Sequence, residues 1–569
     1  MLQKIIIILL LSLNHICFSQ AISEQSFYDI EKPKDSGEEI ILETDRQFYC
    51  VDERIYFTAS CKFNYPNDHV HWSNIIYVEL IRWNGERIEQ AKFKLNDNSV
   101  SGYLTIPKTI PSGNYYFRAY TKWMRNFQVE DYSYRLVKVI NPIESKIDLG
   151  PNKISDNKLI RSQPATINSY RGIECFTDKF TYQQRENVNL TIRLDNFDNG
   201  HSNFCVSVAK ATYIDTNSYY IQFPEKNSPE EKLLVYLPEF RGVSISGKIL
   251  NANDSSPLAN AALHLSTPQN WQHFTTFHTT DNGFFNFTLP DFYGQYDFYI
   301  DALLENGEKA EILVDNDYCT RSINLTYIPF SLDSIEMKIA LEMAVNMQIF
   351  NLYIENSRIH TPEPKRLPFY GSQRYVYYTK EYIQLPNLEE FFYELVREVR
   401  TIRIRKKAYL KIVGNSQYND LNPLLLIDNI PVFDVEDFLK IPVDRIEKIE
   451  IIDKPYIVSG SRYSGVICVY TKRKDFAGIK LNNSSLFFNY NLLSNDQFHM
   501  SDYSSTNTSK VTYRRNLLFW DPEIELNQHQ PTNLSFYTSD SKGEYIVYIR
   551  SISAKGKPRL YGTCKIVVE

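Results

Sequence analysis

Several things are scarce or missing in this chain of 569 residues, and each absence removes a class of function. Beyond residue 19 no segment is long and apolar enough for a membrane-spanning helix, which needs ~20 such residues. Positive charge is not in excess. Lys and Arg number 62 against 68 Asp and Glu, for a net charge of −6. The basic stripe of a nucleic-acid binder is therefore missing, and no nucleic acid is expected as a partner. No Cys-x-x-Cys occurs. Cys50, Cys61, Cys175, Cys205, Cys319, Cys468 and Cys564 follow the leader, an odd number that argues against a full disulfide framework. Cys50 and Cys61 stand at opposite ends of successive strands, roughly 20 Å apart at about 3.3 Å per residue, beyond disulfide reach. Buried free thiols are expected, with one bridge among Cys175, Cys205 and Cys564 left open. No His-Glu-x-x-His, glycine-rich phosphate loop or Gly-x-Ser-x-Gly elbow is present. No catalytic residue, cofactor or metal ligand set is expected.

What the chain does have is a repeat. Thr44-Asp45-Arg46, Tyr49, Glu53, Ile55, Phe57 and Thr58 align without a gap with Thr177-Asp178-Lys179, Tyr182, Glu186, Val188, Leu190 and Thr191, 133 positions later. A fixed offset of this kind marks two copies of one module. The end of the first copy, Leu104, Ile106, Gly113, Tyr115 and Phe117, recurs as Leu534, Phe536, Gly543, Tyr545 and Val547. The second copy should start near 173 and finish near 569, with about 300 residues inserted in it. Asp45 and Asp178 are expected to cap local turns.

Residues 1–19 form a secretory signal: Lys4, a short apolar core over 5–13, then a small residue before Gln20. Residues 20–40 are a polar lead-in. Seven short alternating segments over 41–142 predict a β-sandwich, with 143–172 as a linker. Residues 173–212 and 516–569 form the discontinuous second sandwich, and 242–328 a third β-unit. A helical and connecting segment spans 329–415. Its helices are expected over 333–360, where Ile335, Ile339, Met343, Met347 and Phe350 fall near helical spacing, and over 388–399. A small α/β unit covers 416–475, and an irregular connector 476–515. The expected class is mainly β.

The segment TDRQFYCVDERIYFTA resembles the opening of a macroglobulin-type domain, and LSFYTSDSKGEYIVYIRSISAKGK resembles the close of one. Residues 243–301 resemble the carboxypeptidase regulatory-like domain, a transthyretin-like sandwich. The resemblance rests on Gly247-Lys248-Ile249, Pro257-Leu258-Ala259-Asn260-Ala261 and Thr280-Asp281-Asn282-Gly283-Phe284-Phe285. Residues 423–472 resemble the plug of TonB-dependent outer-membrane receptors, through PLLLIDNIPVFD, IPVDRIEKIEII and YSGVICVYTK. The combination is similar to exported multi-domain proteins of the Bacteroidetes. A receptor's barrel, about twenty-two strands of roughly ten residues, has no room after residue 475. The Gly-Cys-Gly-Glu-Gln thioester of protease-trapping macroglobulins is absent.

Arg400, Arg403, Arg405, Lys406 and Lys407, on a strand expected over 401–413, are the candidate partner-binding residues, facing an acidic partner or lipopolysaccharide phosphates. His69 with His71, and His273 with His278 near Trp271, are weighed as metal pairs and read as surface residues. Asp428 is read as a turn residue. The expectation is a non-enzymatic exported envelope protein of the periplasm or outer membrane. It would act as a binding scaffold for a protein partner, with an outer-membrane barrel of another chain as one candidate. One alternative is an accessory subunit of a TonB-dependent uptake system that gates such a barrel. Another is a glycan binder or enzyme with an unrecognised site.

Overall fold

The computed structural model describes residues 37–63, 73–144, 146–150, 158–161, 170–194, 203–210, 219–222, 235–268, 273–304, 309–323, 325–353, 369–371, 375–413, 420–458, 461–495, 512–527, 530–552 and 560–569. The chain is mainly β, built from packed sheets, with three α-helices among the described residues. The signal segment, most of the lead-in, His69, His71 and Trp271 lie outside the described residues.

Strands Glu38–Thr44, Arg54–Phe63 and Ser99–Thr105 form one sheet. Phe48–Cys50, Ser133–Ile140, Gly113–Tyr120, Ile75–Ile81 and Arg87–Lys94 form the sheet facing it. Eight strands stand where seven were expected; the extra one is the three-residue Phe48–Cys50. Alternation turns Ile55, Phe57 and Ala59 inward, and the Phe57 ring meets Phe93 and Phe117 at centroid distances of 5.0 and 5.6 Å. Ile55 and Phe57 each contribute about 1.5–3 kcal/mol by leaving water. Ile75–Ile81 is buried at all seven positions because its outer face packs on the third β-unit.

The second set of strands draws on two distant stretches of chain. Asn203–Lys210 lies between Leu517–Glu525 and Gly543–Ser551, antiparallel to both. Asn187–Leu194 lies between Ile173–Thr177 and Thr532–Tyr537. Tyr561–Val568 pairs with Gly543–Ser551 and, in parallel, with Thr181–Tyr182. The two copies of the repeat share their hydrogen bonds. Cys50 N donates to Glu53 Oε2 at 2.7 Å, and Gln183 N to Glu186 Oε2 at 2.6 Å. Tyr56 N donates to Asp45 Oδ1 at 3.1 Å, and Asn189 N to Asp178 Oδ1 at 3.0 Å. Tyr115 OH donates to Pro111 O at 2.6 Å, and Tyr545 OH to Ser541 O at 2.7 Å.

The third unit packs Ser244–Asn251, Phe284–Thr288 and Ala310–Val314 against a four-stranded sheet. That sheet holds Phe274–His278, Ala262–Ser266, Gln295–Leu303 and, at its edge, Ser485–Asn491. The last strand corrects the expectation of an irregular 476–515. Its Phe488 and Tyr490 pack on Phe298 at 5.9 and 6.1 Å, an apolar alternation that the neighbouring Asn and Ser residues concealed.

Helix α1 (Ser334–Tyr353) begins with a capping box: Glu336 N donates to Asp333 Oδ1 at 2.7 Å, and Asp333 N to Glu336 Oε2 at 3.0 Å. Residues 354–360 of the expected 333–360 lie outside the described residues. Its Ala340, Met343, Ala344 and Met347 pack against Phe48, Cys50 and Ile140 of the first sandwich and Ala209, Ile546 and Tyr548 of the second set. Helices α2 (Leu388–Leu395) and α3 (Val435–Leu439) are capped by Asn387 and Asp434. They cover a five-stranded mixed sheet ordered Tyr375–Tyr378, Ile446–Ile452, Val466–Thr471, Leu424–Ile427 and Ile430–Pro431. Leu424–Ile427 runs parallel to Val466–Thr471. Gly465 is required there, since a Cβ on it would lie 2.2 Å from Ile452 O.

Candidate partner-binding surface

The basic stretch is not the single strand expected over 401–413. Val399–Ile404 and Lys407–Ile412 form an antiparallel hairpin, and Arg405 and Lys406 make its turn with φ of 50° and 69°. Positive φ at both central positions is the geometry of the two-residue turn that matches strand twist. The turn was hidden because Arg-Lys replaces the usual Asn-Gly.

Register divides the hairpin into two faces. Val399 opposite Ile412, Thr401 opposite Leu410, and Arg403 opposite Ala408 face the helices. There Val399, Ala408, Leu410 and Ile412 join a core with Phe391, Phe392 and Phe438. Arg403 belongs to this side. Its guanidinium donates to Glu389 of α2 at 2.8 Å and Glu436 of α3 at 3.0 Å, and these carboxylates push it up further. It is thus neutralised within the chain and separated from the other four candidates.

The outer face carries Arg400 opposite Lys411, Ile402 opposite Tyr409, and Ile404 opposite Lys407. Ile402 is 42% exposed and Ile404 57%. Arg400, Arg405, Lys406 and Lys407 are all exposed, and no ion pair engages them among the described residues. Lys411 Nζ donates to Leu421 O at 3.0 Å. The result is an apolar centre with a cationic rim, and residues 399–413 contain no acidic side chain. Ile402, Ile404, Tyr409 and Lys411 were missed in the sequence because one continuous strand gives no faces by register. The Arg-Lys pair with alternation on both sides was the available signal.

A second cluster of charge is buried. Lys92 of the first sandwich pairs with Asp317, which also meets Lys122 Nζ at 3.3 Å and accepts from Tyr490. Tyr77 donates to Glu239 Oε2 at 2.8 Å, and Ser244 N to Glu239 Oε1 at 2.7 Å. Burial pushes Asp317 up, but Lys92 and Lys122 outweigh it and hold the carboxyl down at about 2. Burial lowers Lys92. Every group here has a partner from another segment, so the cluster joins units together. Beside it, Leu237, Glu239, Arg241 and Asn286 line a cavity of about 60 Å³, room for water rather than a ligand.

The remaining sequence candidates separate. His273 is half-buried, lowered to about 4 by burial, with Nε2 unpartnered, whereas His278 is exposed. Asp428 accepts from Thr471 N at 2.8 Å, Thr471 Oγ1 at 2.6 Å and Phe476 N at 3.1 Å, which makes it a turn residue. His264 stands opposite Asp301 on the adjacent strand, both buried, with His264 Nε2 and Asp301 Oδ1 unpartnered. Burial lowers His264 to about 4 and raises Asp301 to about 7.

No protein-family model matches the chain, and no curated protein matches it. Among solved structures, trypsin-activated alpha-2-macroglobulin from Escherichia coli aligns at 7% identity and a TM-score of 0.23, over 94% of this chain and 42% of that one. Salmonella alpha-2-macroglobulin reacted with methylamine aligns at 9% identity and a TM-score of 0.23, over 94% and 39%. Dimeric latent PorU from Porphyromonas gingivalis aligns at 7% identity and a TM-score of 0.15, over 49% and 34%. The chain spans less than half the length of the macroglobulins it aligns with. No helix among the described residues is long and apolar enough to cross a membrane.

Proposed function

We propose that this chain is an exported, non-enzymatic scaffold of the bacterial envelope that docks a protein partner through the outer face of the 399–412 hairpin. The observation that carries the reading is the composition of that face: exposed Ile402 and Ile404 between Arg400, Lys407 and Lys411, with Arg405 and Lys406 at the tip. Apolar centres rimmed by charge are how protein interfaces are built. The partner it fits carries an acidic patch, and an outer-membrane barrel protein is the form we favour. The buried Lys92–Asp317–Lys122 cluster and helix α1 supply the rigidity a scaffold needs. In this reading the sandwiches are of macroglobulin type, the third unit is regulatory-like and the α/β unit is plug-like.

The test is capture from detergent-solubilised native envelopes with the tagged chain and with an Arg400→Glu/Arg405→Glu/Lys407→Glu variant. A stoichiometric protein that the variant loses supports the reading. Capture by both, or by neither, refutes it. A second reading, gating of a barrel in trans, is favoured by the parallel pairing of Leu424–Ile427 with Val466–Thr471 in the plug-like unit. It requires that the captured protein be a TonB-dependent barrel.

A further inference from the structure

All seven described cysteines are free thiols, and five of them, Cys50, Cys61, Cys205, Cys319 and Cys468, are buried. Cys175 and Cys564 differ: both are half-buried, on strands 389 positions apart in the sequence. Three observations bring them together. Gly172 and Tyr561 form a parallel bridge, so advancing three residues along each strand sets Cys175 level with Cys564. The strands approach closely, since a Cβ on Gly562 would lie 2.4 Å from Ile173 O. Both side chains pack on the same hydrophobic cluster. The first copy of the repeat has Leu42 at the position matching Cys175, so the pair belongs to the second copy alone.

We infer that Cys175 and Cys564 form a disulfide that ties the opening strand of the second sandwich to its closing strand. The co-reactant is a small or protein disulfide oxidant. The thiolate of one cysteine attacks the oxidant's S–S bond, giving a mixed disulfide and releasing one oxidant sulfur as thiolate. The second cysteine's thiolate then attacks the protein sulfur of that mixed disulfide. The Cys175 Sγ–Cys564 Sγ bond forms and the second oxidant sulfur leaves. The protein loses two electrons and two protons, and the oxidant ends as two thiols. The Cys564 thiol and burial push Cys175 up, so the exchange runs faster in mildly alkaline buffer. Formation in the cell rests on the export reading, because only an oxidising compartment keeps such a bond. Formation in vitro does not rest on it.

The test uses the purified full chain, first reduced and then incubated with oxidised glutathione, followed by alkylation of remaining thiols under denaturing conditions and peptide mapping. The expected result is one linked peptide pair containing Cys175 and Cys564, with the other five cysteines alkylated. Dithiothreitol should abolish the link, and Cys175→Ser should leave Cys564 alkylated or carrying glutathione. Three results overturn the inference: alkylation of both residues in the oxidised sample, a stable glutathione adduct on either in the unsubstituted chain, or a bridge to Cys205. Fractionation of cells producing the chain tests export separately, so a bridge that forms in vitro in a protein retained in the cytoplasm sinks the export reading alone.

Discussion

The hydroxyl of Tyr49 lies 2.7 Å from Oδ1 of Asp45, and the pair recurs 133 residues later as Tyr182 and Asp178, again at 2.7 Å. The geometry is shared and the surroundings are not. Burial pushes Asp45 up to about 6 against the opposing pull of Arg46. At Asp178, which is exposed, the hydrogen bonds from Tyr182 and Asn189 outweigh burial and hold the carboxyl below its usual range.

Tyr49→Phe should therefore cost more than Tyr182→Phe. Removing the donor to buried Asp45 is expected to destabilise by about 1–3 kcal/mol, and removing the donor to exposed Asp178 by about 0.5–1 kcal/mol. Urea unfolding of the two variants measures this. Equal losses would show that burial does not set the difference.

Asp301 makes stability depend on pH. Its carboxyl moves from an ordinary 3.8 to about 7 through burial, so between those values the folded chain holds a proton that the unfolded chain has released. Stability from this group is complete below pH 3.8 and is lost as pH rises toward 7. Relative to Asp301→Asn, the unsubstituted chain should weaken across that window in denaturant titrations. His264 opposite it titrates in the reverse sense, and the comparison cancels its contribution. A stability difference that stays flat with pH removes the argument.

Lys92→Met leaves Asp317 buried with one cation fewer. The expected cost is about 3–5 kcal/mol, as for other broken buried pairs. Chemical denaturation reads it directly, and a loss below that of a surface substitution would mean the cluster is hydrated.

The hairpin turn allows charge to be separated from folding. Arg405 and Lys406 occupy left-handed backbone at a cost that Asn-Gly avoids. Arg405→Asn/Lys406→Gly should stabilise by about 1 kcal/mol while weakening partner capture. A variant that is both more stable and fully competent in capture would locate the contact elsewhere.

What could be read in the sequence followed the range of the interactions. The repeat was legible because each of its bonds closes within a dozen residues: Asp45 with Tyr49, Cys50 with Glu53. Helix α1 was legible from Met343 and Met347. Lys92 and Lys122 were not, because charged residues read as solvated and their partner Asp317 lies 225 positions from Lys92. Ser485–Asn491 was lost for a similar reason, since the strand that orders it, Gln295–Leu303, lies far upstream. Arg403 looked like its basic neighbours until register placed it on the opposite face, beside Glu389 and Glu436.

Asn203–Lys210 lies between two strands that the ribosome makes much later, Leu517–Glu525 and Gly543–Ser551. At roughly 5–20 residues per second, its first neighbour follows it by roughly 15–60 s. Through that interval both edges of the strand stand open, and the opposite sheet that covers Val206 and Val208 still lacks its third strand, Thr532–Tyr537. A nascent chain of this design is a substrate for holding chaperones long before it is a folded protein. The time between its two halves sets how long they must hold it.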